Sequence, residues 1–176
     1  MRWALSTKTT EKKLESRRRM IAAIGLYLTD AKGVGKFAKG DRYMIIQNAV
    51  YLLERCNITN MKYEFQWSLT GPNSIALATD IDAVEQQGDT YEGIEISESG
   101  RKKLEKIKYA MKKHDNSLTD ARWMRLLGSV AYIGKASPMT SLAKTVHFID
   151  PGAEEYKEEA KHTLADLGID AGRAIE

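Results

Sequence analysis

One cysteine, three prolines and three phenylalanines in 176 residues set the first limits. A single thiol, Cys56, excludes an intramolecular disulfide, and its neighbours Leu52 and Leu53 predict a small buried hydrophobe. Three prolines and 13 glycines are too few for a collagen-like or low-complexity chain. No run approaches the roughly 20 apolar residues that a bilayer-spanning helix needs, so no membrane is expected among the partners. Met1 to Lys13 is polar and lacks the apolar segment of a secretory signal. With no disulfide to form, a cytoplasmic setting is expected. The length predicts one domain with room for a terminal extension.

One charge sign is missing from a long stretch. Residues 63–97 contain no Lys or Arg and seven acids, whereas 1–62 carry a net +8, 98–150 a net +6 and 151–176 a net −4. The overall +3 conceals this segregation. Blocks of opposite sign either neutralise one another in the fold or present separate faces to partners.

Apolar spacing predicts a helix over about 11–30, basic in its first half, then a Gly- and Lys-rich linker at 32–41. A second helix is expected at about 42–56 with Asp41 as its N-cap and Ile46, Ala49, Val50 and Leu53 as its stripe. Strict alternation from Met61 to Thr70 predicts a strand ended by Gly71-Pro72. Asn73 or Ser74 can cap the next helix, buried through Ile75, Ala78, Ile81 and Val84 and stopped at Gly88. A short strand or hairpin is expected around Gly93. Ser97 caps a helix of about 98–114, and a capping box of Ser117 and Asp120 opens the next. Ser137-Pro138 and Asp150-Pro151 open two more, the last ending at Gly168. The fold class is mainly α (α+β): a basic N-terminal helix and linker at 1–41, a winged-helix-like core with a short strand or hairpin at 42–114, and a helical extension at 115–176, packed as one unit.

The stretch from Ile45 to Glu54 (IIQNAVYLLE), then Tyr63 to Ser74 (YEFQWSLTGPNS), then Asp80, resembles the Panacea (SocA-like) antitoxin domain and YwgA-like proteins. Gln47, Tyr51, Trp67, Gly71, Pro72, Ser74 and Asp80 match the family's positions, over about residues 42–104. Asn48 stands where the family usually has Lys, and Asn73 where it usually has an aromatic or aliphatic residue. The resemblance implies a non-enzymatic job: binding and neutralising a protein in a mobile-element or phage-conflict setting.

A catalytic constellation is not legible. His114, His147 and His162 lie in no ligand spacing, and Gly33-Val34-Gly35-Lys36 lacks the Walker pattern. Asp80 and Asp82 point about 200° apart on a helix and cannot easily share a metal. No enzyme activity, cofactor or metal is expected. Trp67 and Trp123 could anchor a partner, although their apolar stripes favour core packing.

The expected function is therefore a protein-binding module that neutralises or sequesters a partner, either antitoxin-like or a phage anti-defence inhibitor. Its contact candidates are Asn73, Asp80, Asp82, Glu85, Asp89 and Glu92, which would suit a toxin or another basic, nucleic-acid-handling protein. The competing expectation is that these acids pair with the chain's own cations. The alternative function is a nucleic-acid-binding transcriptional regulator in which Arg17, Arg18 and Arg19 join Lys102, Lys103 and Lys106 in a phosphate-gripping patch. DNA readout by the helix after Ser74 is disfavoured, because that helix has no cation to hold the backbone. A homodimer is compatible with the sequence.

Overall fold

The structure, a computed structural model, describes residues 2–91, 93–114, 117–136 and 150–171. It is mainly helical with one small antiparallel sheet. Its elements are α1 (Arg2–Thr29), α2 (Gly40–Arg55), β1 (Gln66–Ser68), β2 (Gly71–Asn73), α3 (Ile75–Gln86), α4 (Gly88–Tyr91), α5 (Glu98–Lys112) and α6 (Asp120–Ala136). A 3-10 turn (Pro151–Tyr156) and α7 (Lys157–Asp166) follow.

Nine consecutive residues of α2, 45–53, are buried, and this helix is the axis of the fold. A helix hydrophobic on every side must be covered on every side. α1, α3, α5, α6 and β2 do so. One core therefore runs from Ile21 to Ile169 and draws on all three expected segments. None of the helices is long and apolar enough to cross a membrane, among the described residues.

Several local expectations need correction. α1 begins nine residues earlier than the apolar spacing suggested. The 32–41 segment is more than a linker: Val34 and Phe37 are buried in the core. Phe37 lies so close to α1 that a Cβ on Gly25 would stand 2.5 Å from its ring. Lys39, not Asp41, occupies the α2 N-cap, so Asp41 sits in the first turn, where a negative charge suits the helix dipole. Thr119 Oγ1, not Ser117, accepts from the Arg122 N–H at the start of α6 (3.2 Å). Asp150 does stand just before a helical turn that opens at Pro151, but its carboxylate holds Arg122 and Arg125. The helix expected after Ser137-Pro138, and Glu92, lie outside the described residues.

The ten-residue strand shrinks to three. Burial does alternate, with Met61 and Tyr63 inside and Lys62 and Glu64 outside, but no strand pairs with them among the described residues. The ladder begins only at Gln66, opposite Asn73. Gly71-Pro72 does not end the sheet. It forms the returning strand, with Gly71 at φ 91°, where a side chain would be strained. The strand or hairpin expected around Gly93 is also replaced. Gly88–Tyr91 is one helical turn, and no strand follows among the described residues. Tyr91 is wholly buried, and its hydroxyl donates toward Glu15 Oε2 of α1 (3.3 Å), which fixes that turn against the bundle.

Glycine lets α2, β2 and α6 approach closely. A Cβ on Gly128 would stand 2.1 Å from Asn48 Oδ1 and 3.1 Å from Pro72 Cδ. Asn48 is fully buried and tied through Nδ2 to the Met44 and Thr70 carbonyls, so it cannot swing away. Gly128→Ala is expected to cost about 1–3 kcal/mol by overpacking. Asn48→Ala in the same background should recover part of that loss in a denaturant titration.

Asp150 supplies a pH dependence. The Arg122 guanidinium, with Arg125 behind it, holds this carboxyl below its usual range. A carboxyl whose folded pKa is depressed stabilises the fold above its unfolded value of about 3.9 and loses that contribution as pH falls through the folded value. Acid unfolding below about pH 4 should therefore be shallower in Asp150→Asn than in the native chain.

Candidate protein-binding surface

Of the residues singled out by the family likeness, Gln47, Trp67, Gly71, Pro72 and Ser74 lie where α2 meets the hairpin and the start of α3, whereas Tyr51 packs against Phe65 and Tyr132 and Asp80 faces α1. Gln47 is 1% exposed. Its Oε1 accepts from the Ser74 N–H (3.1 Å) and its Nε2 donates to the Ser74 carbonyl (3.2 Å). The same Nε2 donates to Tyr43 Oη (3.1 Å), which also accepts from Asn73 Nδ2 (3.0 Å). Ser74 Oγ caps α3 by accepting from Leu77 N–H. Hydrogen bonds of this kind contribute about 1 kcal/mol each, and here they pair both ends of the buried Gln47 amide; Asn48 is held through its Nδ2 alone, its Oδ1 having no partner among the described residues. Gln47, Ser74 and Asn48 thus lock the hairpin and the first turn of α3 onto the central helix.

The acidic stretch divides in two. Asp80 is 3% exposed and does not face a partner. Its carboxylate accepts from Arg17 Nη2 (3.0 Å), Arg18 Nε (3.2 Å) and Tyr63 Oη (2.6 Å). The Arg17 guanidinium also lies over the Tyr63 ring, 4.8 Å from its centroid. Burial, then the hydrogen bond to Asp80, drives the Tyr63 pKa far above its ordinary value. Glu85 is half-buried and accepts from the Ala38 N–H (2.7 Å). Asp82 and Asp89 are exposed. The expectation that the chain's own cations cover the acids thus holds for Asp80, and the expectation of an outward acidic face holds for Asp82 and Asp89.

This clamp breaks up the proposed phosphate-gripping patch. Arg17 and Arg18 are engaged with α3, and Arg19 pairs with Glu15 along α1. α5 meets α1 much further along, where the Tyr27 hydroxyl donates to Glu105 and Lys108 Nζ to Asp30. Tyr27 lies about 15 Å up the helix from Arg17. Lys102 pairs with Glu98, and Lys103 and Lys106 are exposed beside it. The two basic helices therefore present separate faces.

What the sequence concealed is apolar. Ile75 is 80% exposed and Leu69 62% exposed. Ile75 is the first residue of α3, because Ser74 caps it, and the buried stripe is Leu77, Asp80, Ile81 and Val84. Ile81 and Val84 are buried as expected, but at the start of the helix Leu77 and not Ile75 faces the core, and Ala78 is half-buried; choosing Ser74 over Asn73 as the cap puts Ile75 at the first helical position. Leu69 stands at the hairpin tip, beyond the last ladder pair, Ser68 with Gly71.

Beside Ile75 a groove of about 680 Å³ runs along β1 and the start of α3, lined by Trp67, Gln66, Asn73, Ile75 and Ala76 and bordered by Arg17 and Lys62; Leu69 lies outside it. Trp67 is half-buried, and its indole N–H is shielded from solvent without an acceptor. The backbone adds to this. Pro72 has no N–H, so the Trp67–Pro72 pair is the non-hydrogen-bonded pair of the ladder. The Trp67 N–H and C=O therefore face away from β2, and β1 keeps an open edge among the described residues. Cys56, by contrast, behaves as expected. It is partly buried, donates to the Leu167 carbonyl (3.5 Å), and burial pushes its thiol up. Trp123 is wholly buried and donates to the Ala110 carbonyl (2.8 Å).

No family model, curated protein or solved structure matches the chain.

Proposed function

We propose that this chain is a non-enzymatic module that binds a protein and neutralises or sequesters it, as its likeness to the Panacea (SocA-like) antitoxin domain implies. The contact surface in this reading is the hairpin and the first turn of α3. The observation that carries it is the placement of Ile75 and Leu69, two large aliphatic side chains held out into solvent on a rigidly locked scaffold. Aliphatic groups with no packing role beside a half-buried Trp are what a protein interface uses as anchors. The open β1 edge offers backbone bonds to an extended segment of the partner. Asp82, further along α3, and Asp89, on α4, lie exposed and favour a basic partner. The winged-helix-like core belongs to the same proposal, with the hairpin at 66–73 in the place of a wing. An antitoxin and a phage anti-defence inhibitor would use this surface alike.

The nucleic-acid alternative is weakened, since Arg17 and Arg18 serve the fold. The tagged chain, incubated with host lysate and analysed by native mass spectrometry, should yield a complex of fixed stoichiometry with one protein. Retention of nucleic acid alone, lost between about 50 and 200 mM salt, would overturn the proposal in favour of the alternative.

A further inference from the structure

We propose that a second site, a pocket between α2, the extended chain before β1 and the end of α6, binds a small planar organic anion: an aromatic ring carrying a carboxylate or a phosphate. The pocket holds about 410 Å³, the size range of small-molecule sites. Its wall is aromatic. Tyr51 meets Phe65 edge-to-face with centroids 5.1 Å apart, and Tyr132 lies 5.9 Å from Tyr51 on the other side. Such rings favour a flat apolar guest in offset or edge contact.

Two of its polar groups lack a well-aligned partner. Tyr51 is 5% exposed, and its hydroxyl lies beside the Arg55 guanidinium without a well-aligned hydrogen bond. Arg55, one turn along α2, carries a buried Nη1 that also lacks a partner. A guanidinium nitrogen can only donate, so what completes it is an oxygen acceptor, best a charged one. Arg55 already draws the Tyr51 pKa down, against the larger upward push of burial, which places the two groups side by side. Lys135 at the pocket mouth is exposed and forms no ion pair among the described residues. The single acid, Glu54, is turned to the backbone, where it accepts from the Tyr63 N–H (3.4 Å). The net charge of the pocket therefore favours an anion, its donors point to an oxyanion, and its walls favour a ring. The site does not depend on the hairpin surface, so either can fail without the other.

Phenyl phosphate and benzoate are the probes, with inorganic phosphate and phenol as controls that each lack one half of the recognition. Isothermal titration of the full chain should show one saturable site with a dissociation constant near 1 mM or tighter for at least one of the two probes. The Arg55 Nε–Hε signal should shift in step with it. Whichever probe binds names the acidic group. Arg55→Met and Lys135→Met should each weaken binding about tenfold. Lys135 is exposed, so Lys135→Met retains the fold even if Arg55→Met does not. The proposal is overturned by no saturable binding of either probe up to about 10 mM. It is equally overturned by inorganic phosphate or phenol binding as well as the full probes, or by an unchanged affinity in Lys135→Met.

Discussion

Replacing Arg17 and Arg18 together by Met is expected to destabilise the chain by about 3–5 kcal/mol, the largest loss among the substitutions considered. The double change leaves the Asp80 carboxylate, 3% exposed, with the Tyr63 hydroxyl and no cation. An uncompensated buried charge is far more costly than a lost surface pair. At this chain length the melting temperature should fall by roughly 6–20 °C. Asp80→Ala should cost less, about 1–3 kcal/mol. Its two freed guanidinium side chains are 35% and 20% exposed and regain water. Adding Asp80→Asn to the double Met variant should restore part of the stability, since the charge left behind is then removed. A double Met variant within about 0.5 kcal/mol of the native chain would show that the clamp is incidental. The same result bears on nucleic acid: charge reversal at Arg17, Arg18 and Arg19 perturbs the fold, so Arg19 and the α5 lysines are the proper positions for that test.

The second large effect is on binding. Ile75→Glu combined with Leu69→Glu should weaken the partner complex by about 30-fold or more, the loss typical of interface anchors. Both side chains are exposed, so the melting temperature should stay within the range of ordinary surface changes, about ±0.5 kcal/mol in stability. Tyr109 on α5, 67% exposed and far along the chain from the hairpin, is the control. Tyr109→Glu should leave the affinity unchanged. Trp67→Phe tests the unpaired indole N–H separately, because it keeps an aromatic ring at the position and removes the donor.

The helices were legible because their caps and stripes are local. Ser97 reads from sequence as a cap and Ser74 as one of two candidates with Asn73, and both serine side chains accept a backbone N–H. The hairpin was not legible. Alternation from Met61 to Thr70 records which side of an extended chain meets the core, and that pattern is the same whether or not a ladder partner exists. Gly71-Pro72 read as a terminator because Pro cannot donate. Yet Pro72 sits at the one ladder pair that needs no donor. The charge segregation gave the right inventory of acids without their destinations. Asp80 and Arg17 stand 63 residues apart, and no spacing rule joins them. Asp82, two residues on, turns outward for the reason the helical angle already gave. Gln47 and Ser74 were picked out by family likeness, and their role here is to fix the hairpin and α3 on α2. The surface they support, Ile75 and Leu69, was hidden by the misread first turn of one helix and by an overlong strand.

The central claim is that a partner protein seats on the hairpin and the start of α3. Photo-crosslinking from p-benzoylphenylalanine placed singly at Ile75, Leu69 and Tyr109 tests it most directly. One protein adduct formed from positions 75 and 69, competed by unlabelled native chain and missing from position 109, is the expected result. Adducts of the same protein from position 109 alone, or crosslinks only to nucleic acid, would contradict it.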